Sequence, residues 1–286
     1  MSTVASRRST GSAPTPTSRN WLSEVSREVK NRPSAMVLYG VPGIGKTSFA
    51  CQMPGAVLMH DAQEHGVHEL KKTGAVTADF PVLPAVENWL DVLSMLEALR
   101  TGEHNFTGIV LDTLGGFERL CHEEVCRRDY QSDWGKSGFV NYQQGYDTSL
   151  SDLRHFINAL DRLRDERNMR VVLIGHAKVS PFKNPEGPDY DRYNADCHHK
   201  TWSLFNKWAD LVLFANYEVS FAAKEETKVK AKAKGGQTPL LYTKRTAAYD
   251  AKNGHNLPEE IEMGSNAAEA WNNFTKAIAA GRKAGV

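Results

Sequence analysis

With 286 residues, 41% of them hydrophobic, and a formal net charge of +1, the chain can build one large α/β core or at most two small ones. No global charge draws it to nucleic acid or to a membrane surface, and no run of ~18 apolar residues is present to span a bilayer. Four cysteines (Cys51, Cys121, Cys126 and Cys197) suit a reducing cytoplasm, and no apolar segment reads as a secretion signal.

Residues 1–20 are rich in Ser, Thr and Pro and carry Arg7, Arg8 and Arg19; they read as a disordered tail, with a transit peptide as the alternative. Residues 21–30 read as a short helix leading to an apolar strand at Met36-Val37-Leu38-Tyr39. That strand runs into Gly40-Val41-Pro42-Gly43-Ile44-Gly45-Lys46-Thr47, a G-x-x-x-x-G-K-T sequence, and Ser48 onward continues as a helix. Glycines let such a loop curl with its N–H groups inward, so that loop and helix N-terminus together cradle a polyphosphate. Lys46 would reach the β- and γ-phosphates, Thr47 would offer a hydroxyl to Mg²⁺, and Ser48 closes the candidate nucleotide-binding set.

A second strand spans residues 56–60 and ends at Asp61-Ala62-Gln63-Glu64. Residues 86–100 read as a helix, because Trp89, Val92, Leu93, Leu96 and Leu99 recur at helical spacing. A buried strand over 108–111 ends in Asp112, the position from which a carboxylate holds the phosphate-bound Mg²⁺. The alternative, a strand-end Asp that caps the next helix, weighs less beside a phosphate loop. Helices follow at 117–129 and 148–168, then a strand at 170–174 ending in Gly175-His176. Residues 180–194 read as a loop whose Phe182, Tyr190, Arg192 and Tyr193 serve either base stacking or the core. A strand at 210–214 and a closing helix at 266–282, capped by Ser265, complete the pattern. Apolar strands alternating with helices mean a mostly parallel sheet covered on both faces, with ligands at the strands' carboxyl ends. Asp61, Asp112 and His176 all fall at such ends.

Lys228, Lys230, Lys232 and Lys234 alternate with period two, followed by Gly235-Gly236 and Leu240-Leu241-Tyr242-Thr243. This reads as a β-hairpin with one basic face, for which a DNA backbone is a natural partner; the plainer reading is an edge strand blunted by lysine. Lys178 joins these four as a DNA-binding candidate. Cys121-His122, Cys126 and Cys197-His198-His199 can be combined into a zinc set on paper, but their spacings match no common ligand pattern.

Residues 32–262 resemble the phage-type nucleotide-binding family of short RecA-like ATPases. The carriers are Gly40 to Thr47, the Asp61–Glu64 cluster, the strand at 109–113, Gly175-His176, Trp208-Ala209-Asp210 and Ala251-Lys252-Asn253. The resemblance implies a glutamate after the second strand that activates water. Gln63 sits at the family spacing, but Gly66 and Leu70 align better with one residue inserted, which favours Glu64. It implies that His176 senses the γ-phosphate, although a strand-end histidine is commonly a structural hydrogen-bonder. It also implies a trans-acting cation, here Lys252, since Gly254 stands where the family has arginine; Lys244-Arg245 and a merely solvated lysine are the alternatives.

By that resemblance the fold is an α/β RecA-like P-loop NTPase, with a mostly parallel central sheet, helices on both faces and a basic β-hairpin. Residues 1–20 would be the tail, 21–264 the ATPase domain and 265–286 a C-terminal helix. The implied function is Mg²⁺-dependent ATP hydrolysis on single-stranded DNA in recombination or strand annealing. The implied assembly is a homo-oligomer with ATP at the subunit interface, in a bacterial or phage-infected cytoplasm and away from membranes. The competing function is a P-loop ATPase or kinase in signalling with no DNA substrate; no Arg-rich lid of the kinase kind is evident.

Overall fold

Every second residue of the apolar strands faces the same way, and this alternation builds the architecture of the computed structural model. The structure describes residue 22 and residues 25–27, 32–221 and 233–284. The chain divides into Met1–Asn31 and Arg32–Val286, and every element named here belongs to the second unit. The expected tail and most of the expected helix at 21–30 lie outside the described residues. No described helix is long and apolar enough to cross a membrane.

The elements run β1 (Ala35–Gly40), α1 (Lys46–Ala50), β2 (Ala56–His60), α2 (Gly66–Lys72), α3 (Trp89–Thr101), β3 (Gly108–Asp112), α4 (Leu114–Asp129) and α5 (Gln144–Arg167). They continue with β4 (Arg170–Phe182), β5 (Tyr190–Ala195), α6 (His199–Trp208), β6 (Leu211–Phe221), β7 (Ala233–Tyr242), β8 (Lys252–Asn253), β9 (Glu260–Glu262) and α7 (Ala267–Ala284). The sheet order is β2-β3-β4-β1-β6-β7-β9, with β5 on β4 and β8 on β6. β2, β3, β4, β1 and β6 are parallel, while β7 and β9 add antiparallel strands at one side. The fold class is the expected one: a mostly parallel sheet between helical layers.

Val37 and Tyr39 of β1, Ile109 and Leu111 of β3, and Val171 and Leu173 of β4 join one core with α3, α4, α5 and α6. Met36 and Leu38, Val110, and Val172 and Ile174 join the other, under α1, α2 and α7. Each fully buried side chain of this kind stabilises the fold by roughly 1.5–3 kcal/mol relative to exposure. At the sheet's lower end Asp210 accepts from the Ala35 amide at 2.8 Å and from Arg164 Nη2 at 2.5 Å. That pair anchors β1 beside β6 and fixes where β1 delivers the chain at its upper end.

The structure corrects several local expectations. Residues 180–194 are not an open loop: β4 continues to Phe182 and pairs antiparallel with β5, from Ala177↔Ala195 to Phe182↔Tyr190. Within this hairpin Arg192 is buried, bonded to Asp250 at 2.7 Å and set over the Phe182 ring. Tyr193 packs on Phe214. The core reading therefore holds for these two residues. Gly235-Gly236 is not a turn; β7 passes through both, with Val219↔Gly235 and Ser220↔Lys234 in register. Leu240 to Tyr242 pair with β6 on one side and β9 on the other. Lys228, Lys230 and Lys232 lie outside the described residues. Finally, α7 is capped by Asn266, whose Oδ1 accepts from the Glu269 amide at 2.9 Å, while Ser265 donates its amide and hydroxyl to Glu269.

Candidate active site

Gly40 ends β1 where the chain must slide past β6. A Cβ there would stand 2.1 Å from the Ala215 carbonyl oxygen, so no side chain fits. The Val41 amide donates to that same oxygen at 3.2 Å. The loop then turns through Gly43 (φ +77°) and Gly45 (φ +92°), left-handed conformations that glycine adopts at little cost. Gly45 is the N-cap of α1, and no side chain caps that end, so its amides remain for an anion.

Lys46 is buried, and among the described residues its ammonium donates only to the loop's own carbonyls, Gly40 O at 3.0 Å and Val41 O at 2.9 Å. Burial pushes its pKa down to about 8, opposed by the carboxylates of Asp112 and Glu64. Thr47 Oγ1 donates to Asp112 Oδ2 at 2.7 Å, joining α1 to the end of β3. Asp112 is itself buried, and burial pushes its carboxyl up to about 6 against the pull of the Thr47 hydroxyl.

The turn after β2 is shaped by Asp61. Its Oδ1 accepts from the Gln63 amide at 2.7 Å and faces Arg119 Nη2 at 3.4 Å, while its carbonyl accepts from the Glu64 amide at 3.1 Å. Asp61 also lies on the start of α4, where a Cβ on Gly116 would come within 1.7 Å of Oδ2. The turn leaves Gln63 exposed and carries Glu64 toward His176, with Oε2 and Nε2 3.9 Å apart. That imidazole holds the Glu64 carboxyl below the usual range, against partial burial. Because β1 and β4 are paired at Gly40↔His176, this pair sits beside the phosphate loop. Lys46, Thr47, Asp112, Glu64 and His176 are thus brought to one end of the sheet. Arg119 and Gly116 were not singled out from the sequence; a glycine pair at a helix start gives no sign of the carboxylate packed on it.

Lys252 is placed differently. Its ammonium donates to Ala209 O at 2.5 Å, Lys207 O at 3.0 Å and Asn206 O at 3.4 Å, which satisfies the C-terminal carbonyls of α6. Lys252→Ala is expected to lower stability by about 1–2 kcal/mol, read as a lower melting temperature. A full loss of turnover at unchanged stability would instead return Lys252 to a catalytic role.

Beside the loop opens a cavity of about 550 Å³, lined by Gly43, Ile44, Ser48, Gly74, Thr77 and Asn266. Its size and position suit the nucleoside half of a nucleotide whose phosphates lie in the loop. The residues present also fit Mg²⁺: a hydroxyl and a carboxylate 2.7 Å apart, adjoining uncapped helix amides. Among the described residues no group of three or more His, Cys, Asp or Glu is placed to hold a metal ion by protein ligands alone. Asp112 binds a cation only as carboxylate. Metal affinity measured with ATP is therefore expected to be flat above about pH 6 and to fall up to ~10-fold per unit below it. An affinity flat down to pH 5 would remove Asp112 from the metal site.

A protein-family profile described as AAA domain matches residues 32–255. No curated protein matches the chain. Among solved structures the chain is similar to the crystal structure of the RadB recombinase, at 13% identity, covering 74% of this chain and 80% of that one with a TM-score of 0.40.

Proposed function

The chain belongs to the AAA-domain family across residues 32–255, and from that premise we propose that it is a Mg²⁺-dependent RecA-like ATPase acting on single-stranded DNA in phage-type recombination or strand annealing. The observation that carries the ATPase reading is the convergence of Lys46, the Thr47–Asp112 pair and the Glu64–His176 pair at the carboxyl ends of β1, β3 and β4. Mg–ATP, when bound, would supply a polarised γ-phosphoryl group for attack by water. Loop amides and Lys46 would hold the β- and γ-phosphate oxygens, with Lys46 balancing the charge that grows on them. Thr47 and Asp112 would hold the metal. Glu64, ionised at neutral pH, would take the proton from water. His176 faces Glu64 and continues into β4, so a change at the γ-phosphate has a covalent route into the β4–β5 hairpin.

The DNA reading rests on the lysines. Lys228, Lys230 and Lys232 fall between the ends of β6 and β7 in sequence, and Lys234 lies on β7. Lys178 is exposed on β4 and bonded to Asp196 at 3.0 Å. Changing Lys228, Lys230, Lys232 and Lys234 together to Ala is expected to flatten the log–log salt dependence of single-strand binding by up to ~3, at ~0.7 per phosphate contact. The affinity loss should be similar across sequences, because phosphate contacts carry no base information. Anisotropy across a salt series reads it; an unchanged slope would favour the ATPase without a DNA substrate.

The reading also places the protein in the cytoplasm as a homo-oligomer with ATP at the subunit contact. Lys252 could serve a neighbour's site only by giving up its three carbonyls at the C-terminal end of α6. A specific activity that rises with protein concentration supports the shared site; one that is constant in a monomer removes it.

A further inference from the structure

A cavity of about 190 Å³ lies at the amino ends of β1, β4 and β6, the end of the sheet away from the phosphate loop, with α7 as its outer wall. It shares no lining residue with the cavity at the phosphate loop. Its interior is apolar. Met36, Val172 and Leu211 of the strands meet Trp271, Phe274 and Ile278, which recur at helical spacing on one face of α7. An apolar cavity of roughly 150 Å³ can stay dry and take a benzene ring, so this one has room for one ring or one branched side chain.

Two cations line the same apolar site. Arg170 is the first residue of β4, and Arg282 lies in the last turn of α7. Arg170 is half-buried, and burial pulls its pKa down from the usual arginine value. Among the described residues its guanidinium makes one bond, from Nη2 to the Pro54 carbonyl at 3.1 Å, and neither it nor exposed Arg282 is ion-paired with a carboxylate. Asp210, just before β6, is already taken by Arg164 and the Ala35 amide. A guanidinium drawn partly out of water without a counter-charge is costly, and the N–H fork left on Arg170 matches a carboxylate. Ser34 adds a hydroxyl to the lining, bonded to His255 Nε2 at 3.2 Å. A hydroxyl has one donor and two acceptor lone pairs, so it can also accept an amide N–H. Room for one apolar side chain, cations for one carboxylate and an acceptor for one N–H match the terminal residue of a polypeptide. A free acid lacks the amide, and an internal residue lacks the adjoining carboxylate.

We propose that this cavity is a docking site for the C-terminal residue of a partner polypeptide that ends in a large apolar side chain. The side chain fills the space between the sheet and α7, and the α-carboxylate pairs with Arg170 and Arg282. The rest of the partner chain leaves past Arg282 into solvent.

The test uses the full chain and a fluorescein-labelled peptide ending in Leu-Phe with a free carboxylate. Its controls are the same peptide with a C-terminal amide and one added aspartate to restore the charge, a free-carboxylate peptide ending in Leu-Ser, and hydrocinnamate as a free acid. Anisotropy should show the Leu-Phe carboxylate bound at least ~10-fold more tightly than either control peptide, and Arg282→Gln and Arg170→Gln should each lose the preference over the amide. Equal binding of carboxylate and amide, equal binding of the Phe and Ser ends, or a preference kept in both arginine variants overturns the site. Competition by hydrocinnamate at the peptide's own affinity makes it a free-acid site and removes the partner. If no probe binds and Arg282→Gln changes the oligomeric state seen by light scattering, the face belongs to a second copy and the proposal fails. If no probe binds and the oligomeric state is unchanged, it fails outright. Should Arg170→Gln not fold, Arg282→Gln and the wild-type peptide comparison decide alone.

Discussion

Lys46→Ala is expected to abolish ATP hydrolysis, by at least ~1,000-fold, in a protein that still folds. The reason is local. The ammonium is buried and, among the described residues, touches only two carbonyls of its own phosphate loop. Removing it relieves a desolvated charge, so stability should hold or rise slightly, while the charge that balances the transition state disappears. Nucleotide binding should also weaken, since ground-state phosphate contacts are lost with it. Turnover by a phosphate-release assay, with circular dichroism to show folding, reads the result. A folded variant with the wild-type rate would remove the loop from the chemistry.

Glu64→Gln is expected to bind Mg–ATP as wild type does and to hydrolyse it at least ~100-fold more slowly. The amide keeps the shape of the side chain and its approach to His176 but cannot take a proton. Gln63→Ala should cost far less, because Gln63 is exposed and only its backbone amide, held by Asp61, is used in the turn. Separate measurements of nucleotide affinity and single-turnover rate distinguish the two residues. A larger loss at Gln63 than at Glu64 would reverse the assignment of the base.

Much of this site was legible because its determinants are local. The glycines of the phosphate loop encode their own φ angles, and the apolar runs of the strands at 56–60 and 108–112 lead to Asp61, just past the first, and to Asp112, at the end of the second. What was not legible depends on non-local pairing. The lysine run and Gly235-Gly236 look like a self-contained hairpin, yet β7 finds its partner in β6, and the glycines continue the strand. Residues 180–194 carry loop composition but extend β4 because β5 returns to pair with it. α2 and α6 escaped notice because each buries few side chains, Val67 alone in α2 and Thr201, Trp202 and Phe205 in α6. Helix α4 starts at Leu114 rather than near Phe117, its first turn hidden by Gly115-Gly116. At α7 both Ser265 and Asn266 have capping chemistry, and the Glu269 contacts decide for Asn266.

The most direct test of the account is steady-state ATP hydrolysis by the wild-type chain, with and without Mg²⁺ and with and without single-stranded DNA, at several protein concentrations. The account predicts hydrolysis that requires Mg²⁺, depends on Lys46 and changes severalfold when single-stranded DNA is added. Hydrolysis that is indifferent to the strand at every concentration would contradict the DNA role, and no Mg²⁺-dependent hydrolysis under any condition would contradict the ATPase itself.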